Sequence, residues 1–188
     1  ISLENTHNMA GGTVYPMSAT EEICDHAHEL GIKVHLDGAR VFNAATYLGR
    51  TVAAVTARFD SVQFCLSKGL GAPVGSMIAG SKEFIERCRS VRKMLGGGMR
   101  QTGILAAAGL IALEEGPVRL SVDHENARFL AGRLADVSGI GIDPTKVQTN
   151  IVIFTLQEGR LSSAEFLQRL AAKHVLDANM EISTALPC

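Results

Sequence analysis

Apolar positions along this chain follow two rhythms in turn. Short runs rich in β-branched and aromatic residues read as strands: Lys33-Val34-His35-Leu36, Ser61 to Leu66, Val74 to Ala79 and Thr149 to Leu156. Longer stretches with apolar residues three and four apart read as helices. Ser18 followed by Glu21 is a capping-box pattern that opens a helix through Leu30, and Gly31 stops it. Arg40 to Leu48 reads as a short helix. Ser81 caps the next, which runs to Leu95 and gathers Lys and Arg near its end, where they complement the helix dipole. Gly96-Gly97-Gly98 breaks that helix. Gln101 to Glu114 is so apolar that a buried helix is expected. An amphipathic helix over 118–137 follows Gly116-Pro117, and Ser162 to His174 forms the last. Ile1 to Asn5 begins like a strand already under way, which suggests a piece of a longer chain.

Strands alternating with helices point to an α/β architecture with a mostly parallel sheet. The change in character at Gly116-Pro117 divides the chain into 1–117 and 118–188. Its 188 residues suit one domain, or one domain plus part of another. A hydrophobic fraction of 46% against 20% charged residues is the balance of a globular protein. A net charge of −1 makes no large field that would draw nucleic acid or an anionic membrane. No signal peptide stands at the start, and no apolar run reaches the roughly 20 residues that span a bilayer. Cys24, Cys65, Cys88 and Cys188 form neither a C-x-x-C pair nor a zinc spacing, so they read as reduced thiols of an intracellular protein.

Two polar signals stand at strand ends. Asp37 closes one strand, and Lys68 follows another 31 positions later. Ligands of open α/β sheets bind outside the carboxyl ends of the strands, so both groups can face one crevice. A partly desolvated lysine becomes a usable amine and condenses with an aldehyde. The glycines of Lys68-Gly69-Leu70-Gly71 let the backbone approach a bulky ring. A buried carboxylate such as Asp37 needs a cationic partner, and a protonated ring nitrogen is one. Blander readings stand beside these. Lys68 can be an exposed turn lysine, and Asp37 the N-cap of the helix after it. Arg40 can pair with Asp37 or contact a ligand. Asn5, Thr6 and His7 follow a strand end and either reach the crevice or form a hydrogen-bonded loop. His35 reads as structural, and His26, His28, His124 and His174 receive no role. Gly69-x-Gly71-x-x-x-Gly75 is a poor dinucleotide fingerprint, and the triple glycine is not a P-loop because no Gly-Lys-Ser/Thr follows.

Taken together, four runs resemble the threonine aldolases. They are Leu3-Glu4-Asn5-Thr6-His7-Asn8, His35-Leu36-Asp37-Gly38-Ala39-Arg40-Val41-Phe42-Asn43-Ala44, Phe64 to Ser76, and Arg92 to Gln101. The resemblance covers residues 1 to 179. It implies fold type I of the pyridoxal-phosphate enzymes, with 1–117 as part of the cofactor-binding large domain and 118–188 as part of a C-terminal α+β small domain. It implies pyridoxal 5′-phosphate as cofactor, held by Lys68 as an imine, by Asp37 at the pyridine nitrogen and by Arg40 at the phenolic oxygen. Arg100 joins the cofactor set. Lys93, Thr6 and His7 join the substrate set, with Lys93 and Arg100 serving a neighbouring subunit. The activity implied is retro-aldol cleavage of threonine or allo-threonine to glycine and an aldehyde. It would run in a homodimer or homotetramer of the cytoplasm or mitochondrion, as part of threonine catabolism and glycine formation.

The pattern also departs from the family. Family members carry an upstream phosphate-binding segment with a ring-stacking histidine, and near the C-terminus a strand arginine that grips the substrate carboxylate. Val175 to Asn179 looks like the approach to that strand, but Met180 to Cys188 holds no arginine, and neither Ser183 nor Thr184 replaces a bidentate clamp. A catalytically incomplete relative with a binding or assembly role, or another type I lyase or transaminase, therefore stands as the alternative.

Overall fold

The computed structural model describes residues 1–157 and 161–175. Strand β1 (Ser2–Glu4) leads through helix α1 (Met17–Glu29) to β2 (His35–Asp37). Helices α2 (Val41–Leu48) and α3 (Val52–Thr56) connect to β3 (Ser61–Cys65), and β4 (Ser76–Gly80) returns beside it. The sheet order is β1-β2-β3-β4, with the first three strands parallel and β4 antiparallel. Helix α4 (Lys82–Met94) and the 33-residue helix α5 (Gly103–Ala135) follow. A small antiparallel pair, β5 (Ile140–Gly141) and β6 (Thr155–Leu156), and helix α6 (Ser163–Ala172) complete the described chain.

Register explains why one sheet face is core. Leu3, Leu36 and Val62 align across β1, β2 and β3. Strand side chains alternate faces, so all three lie on one side. There Leu36 and Val62 cluster with Val41, Ala45 and Val55 of α2 and α3, while Leu3 packs against Cys24, Ala27 and Val34 by α1. The opposite face carries the alternate, polar row His35 and Ser61, then Glu4, Asp37 and Gln63. His35 Nδ1 lies 2.8 Å from Ser61 Oγ across the strands, the structural role expected of it.

Asp60 ties the entrances of β2 and β3 together. Its carboxylate accepts from Lys33 Nζ and from the Val34 amide at 2.8 and 2.9 Å, and it pairs with His28 Nε2 at 2.8 Å. The Lys33 bond first, then the Val34 amide, holds its pKa far below the carboxylate range. Burial acts the other way on Cys24 and raises its thiol pKa.

Several expected boundaries move. Helix α1 begins at Met17 with Pro16 as its cap residue and no side-chain capping bond, so the Ser18 capping box does not form. Pro16 presets the chain's entry and starts the helix before Ser18 can cap it. Gly31 does end α1, at φ +70°. Ser81 caps α4 as expected, and Ser162 caps α6 in a full capping box with Glu165. The two helices expected on either side of Gly116-Pro117 are one helix. An internal proline costs about 3 kcal/mol, but a Cβ at position 116 would lie 2.7 Å from the Leu70 carbonyl oxygen, so Gly116 lets α5 lie directly on residue 70. Residues 101–114 are not a buried helix: Ile104, Leu110 and Ile111 are exposed, because no described element covers that side. The strand expected over 149–156 is confined to Thr155–Leu156, since the side chains of Gln148, Thr149 and Asn150 bond to other segments. Residues 176–179, 180–188 and Cys188 among them lie outside the described residues.

Candidate active site at the strand ends

The carboxyl ends of the three parallel strands are level: Glu4, Asp37 and Gln63 align in register. Each predicted site residue of the large sheet follows one of these ends. Asn5, Thr6 and His7 leave β1, Asp37 closes β2, and Lys68 lies three residues past β3. Backbone bonds lace the segments together. The Asn5 amide donates to the Asp37 carbonyl, the Gly38 amide to Gln63, and the Cys65 amide to Ala39. A Cβ on residue 38 would stand 2.9 Å from the Gln63 carbonyl oxygen, so only glycine allows that approach.

Asp37 is half-buried, and its Oδ1 accepts from the Ala39 amide at 3.2 Å. It does not cap the next helix, whose cap position is Arg40. Asp37 and Arg40 form no ion pair with each other or with any other described residue. Arg40 opens α2 and is half-buried at the same strand end.

Lys68 begins a tight turn in which the Gly71 amide bonds to the Lys68 carbonyl at 2.9 Å. Its amine has no ion-pair partner among the described residues. Sequence reasoning expected a partly desolvated amine, but Lys68 is exposed. The turn is packed on one side only: Leu70 is 3% exposed and seated with Leu66, Ala72, Ala112 and Leu120, while residues 67 and 68 stand off the sheet end.

Thr6 and Asn5 are buried, and Thr6 Oγ1 and Asn5 Oδ1 meet no hydrogen-bond partner among the described residues. His7 is engaged locally: its Nε2 lies 3.5 Å from Glu4, and its Nδ1 accepts from the Ala10 amide. Lys93 and Arg100 lie elsewhere. Together with Glu86, Arg89 and Arg92 they line an open cavity of about 730 Å³ whose walls include neither Asp37 nor Lys68. Within the chain they form a second, basic patch.

Three residues escaped the sequence reading. Asn43 of α2, 2% exposed, has its Nδ2 3.1 Å from His124 Nε2 of α5 and 3.1 Å from Asn150 Oδ1. Burial first, and the Arg128 charge second, lower the pKa of His124. A visible signal was the α5 spacing: His124 falls in the same stripe as Leu120, Ala127 and Ala131.

At this strand end the Asp37 carboxylate, the Arg40 guanidinium and the Lys68 amine thus stand without ion-pair partners among the described residues. Among the described residues, no group of three His, Cys, Asp or Glu side chains could hold a metal ion. No helix there is long and apolar enough to cross a membrane.

Comparison with known proteins points the same way. A family model described as beta-eliminating lyase matches residues 1–157. The low-specificity L-threonine aldolase 1 of Arabidopsis thaliana is 47% identical over 169 residues, covering 90% of this chain and 47% of that protein. The low specificity L-threonine aldolase of Escherichia coli K12 is 42% identical over 176 residues, 94% of this chain and 50% of that protein. The chain thus spans about half the length of these relatives. A crystal structure described as a putative L-allo-threonine aldolase from Listeria monocytogenes superposes at a TM-score of 0.71 with 25% identity, over 79% of this chain and 42% of that one. A PLP-dependent aminotransferase from Streptococcus suis, 17% identical, shares the fold at a TM-score of 0.64 over 93% of this chain and 46% of its own.

Proposed function

We propose, since this chain belongs to the beta-eliminating lyase family, that its strand-end crevice binds pyridoxal 5′-phosphate and serves retro-aldol cleavage of threonine-like β-hydroxy-α-amino acids to glycine and an aldehyde. Its α/β architecture is fold type I of the pyridoxal-phosphate enzymes. The observation that carries the reading is a pair of groups without ion-pair partners among the described residues, the Asp37 carboxylate at the end of β2 and the Lys68 amine just past the end of the adjacent parallel strand β3.

When bound, pyridoxal phosphate supplies a cationic ring that takes up the electron pair released at the substrate Cα. Lys68 holds the group through its amine, and its exposed position leaves that amine free to exchange with a substrate amine. Asp37 keeps the ring nitrogen protonated, oriented by its bond from the Ala39 amide. Arg40 adds a cation to the same strand end. Thr6 and His7 belong to the substrate side by family likeness, with the Thr6 hydroxyl buried and without a hydrogen-bond partner among the described residues. Lys93 and Arg100 act on the site of a neighbouring subunit, in a homodimer or homotetramer; their separate basic cavity supports this. We keep the division into 1–117 and 118–188, with its border inside α5. The free thiols of Cys24, Cys65 and Cys88 support a reducing compartment, the cytoplasm or mitochondrion.

A second reading is favoured by one observation, the exposure of Lys68 together with apolar Met94, Leu95 and Ile104. Here the chain assembles with other protein surface and has no turnover by itself.

Glycine release from threonine, assayed with added pyridoxal phosphate, separates the two. The aldolase reading expects release that Lys68→Ala abolishes. Asp37→Ala should slow it about a hundredfold or more, the scale of a lost electrostatic group, while leaving cofactor capture by Lys68 intact. Absence of release from a folded, cofactor-labelled chain selects assembly. Unchanged release in Asp37→Ala removes the role given to Asp37.

A further inference from the structure

Helix α5 lies along the Lys68 turn through one narrow stripe. Its buried positions are Gly109, Ala112, Gly116, Leu120, His124, Ala127 and Ala131. The small residues in that stripe admit the turn. A Cβ at 109 would meet the Leu66 side chain at 3.2 Å, and one at 116 would meet the Leu70 backbone. His124, 3% exposed, is the one polar side chain in an otherwise small or apolar row. A polar group buried there is costly unless its hydrogen bonds are made.

One such bond is made to Asn43. Asn43 Nδ2 is a donor, so His124 Nε2 must be the acceptor and the ring proton must sit on Nδ1. The same amide reaches Asn150 Oδ1. The other end of the Asn43 amide faces the turn: a Cβ at residue 69 would lie 3.4 Å from Asn43 Oδ1 and 2.8 Å from Leu120 Cδ2. Gly69, having no side chain, lets the backbone beside Lys68 come close to Leu120 and to the amide that pairs with His124.

The cluster also reaches the other two strand ends. Asn43 belongs to α2, which starts four residues after Asp37. Beside Asn150, Thr149 Oγ1 donates to the Gly12 carbonyl at 2.7 Å, and the Gln148 side chain accepts from the Val14 amide at 2.7 Å. Both bonds hold the loop that leaves β1. Three consecutive side chains, 148 to 150, thus join the segments after β1 and β2, while Gly69 brings in the segment after β3.

We propose that the buried Asn43–His124–Asn150 cluster is a positioning device that fixes the Lys68 turn relative to the Asp37 strand end. It is assigned a positioning role only, exerted where Gly69 approaches Asn43 and Leu120. The consequence for chemistry rests on the reading that Lys68 is the cofactor-bearing amine.

The test uses His124→Leu, which removes the acceptor, and His124→Gln, whose side-chain oxygen can replace it. Ala127→Gly loosens the same stripe where it packs on Ala131 and Val147 and not on the turn residues, and serves as the control. Hydrogen–deuterium exchange of amides 67–72 is read without cofactor. Formation of a borohydride-trapped pyridoxal-phosphate adduct at Lys68 is read separately by peptide mass. In His124→Leu, exchange in 67–72 should quicken and adduct formation should slow, each by about tenfold, the effect of one lost buried hydrogen bond. His124→Gln should restore both to within about twofold, and Ala127→Gly should move neither at an equal loss of Tm. If His124→Leu does not fold, Asn150→Ala, which deletes only the second arm, should still quicken exchange in 67–72. Unchanged exchange in the variant that folds, or equal changes in Ala127→Gly, overturns the proposal. An adduct on another lysine in the unsubstituted chain overturns the Lys68 reading alone, because the exchange result stands without it.

Discussion

The two flanks of the sheet differ sharply. On the β1–β3 side, helices α1 to α3 seal one face, and Leu36, Val34 and Val41 are fully buried. On the other side, all five residues of β4 are exposed, α4 buries nothing, and Met94 and Leu95 are 80% and 78% exposed. Exposed apolar side chains gathered on one flank are what the assembly reading rests on. The contrast sorts the site residues. Asp37, Arg40 and Lys68 sit where the chain's own packing places them. Lys93 and Arg100 sit on the open flank, with no described acidic partner and no view of the crevice. Their proposed roles need a second surface, whereas those of Asp37 and Lys68 do not.

The contrast can be broken by mutation. Leu36→Ala, in the sealed face, should cost about 3 kcal/mol of stability, read from the urea midpoint. Next is Asp60→Asn, which removes the charge that binds Lys33, the Val34 amide and His28; about 2 kcal/mol should be lost. The sign of its pH dependence is set by a folded-state pKa below the unfolded one. Its contribution is complete above about pH 4 and drains as pH falls toward the lower folded value. Asp60→Asn should therefore flatten the acid limb of stability against pH. The pKa of His124 is also lowered, by burial first and by the Arg128 charge second. Its folded form favours the neutral ring, so its share of stability is present above about pH 6.5 and declines below it. His124→Gln should remove that slope. Smallest of all, Lys93→Ala on the open flank should change stability by no more than about 0.5 kcal/mol. A larger loss would mean that α4 is packed in solution and the flank is not open.

Much of this organisation was legible from local pattern. Alternating strands and helices, the Gly31 stop, the Ser81 cap, and the strand-end placement of Asp37 and Lys68 follow from short-range rules. What escaped was set by tertiary contact. Pro117 reads as a helix end, but Gly116 seats against Leu70 and the helix continues. Ile104 and Leu110 read as buried because an apolar run carries no mark of whether a partner covers it. Thr149 to Leu156 has strand composition, but bonds from residues 148–150 to Val14, Gly12 and Asn43 hold its first half out of a ladder. Asn43 and Asn150 are 107 positions apart, beyond any spacing rule. The roles of Thr6 and His7, Lys93 and Arg100 were read from family likeness and stand as proposals.

The most direct test asks which amine captures the cofactor. The chain is mixed with pyridoxal 5′-phosphate, reduced with borohydride, digested, and the labelled peptide identified by mass. The account predicts one dominant label, on Lys68, that Lys68→Ala removes and Asp37→Ala retains. A dominant label on Lys93 or any other lysine, or one that survives Lys68→Ala, would contradict it.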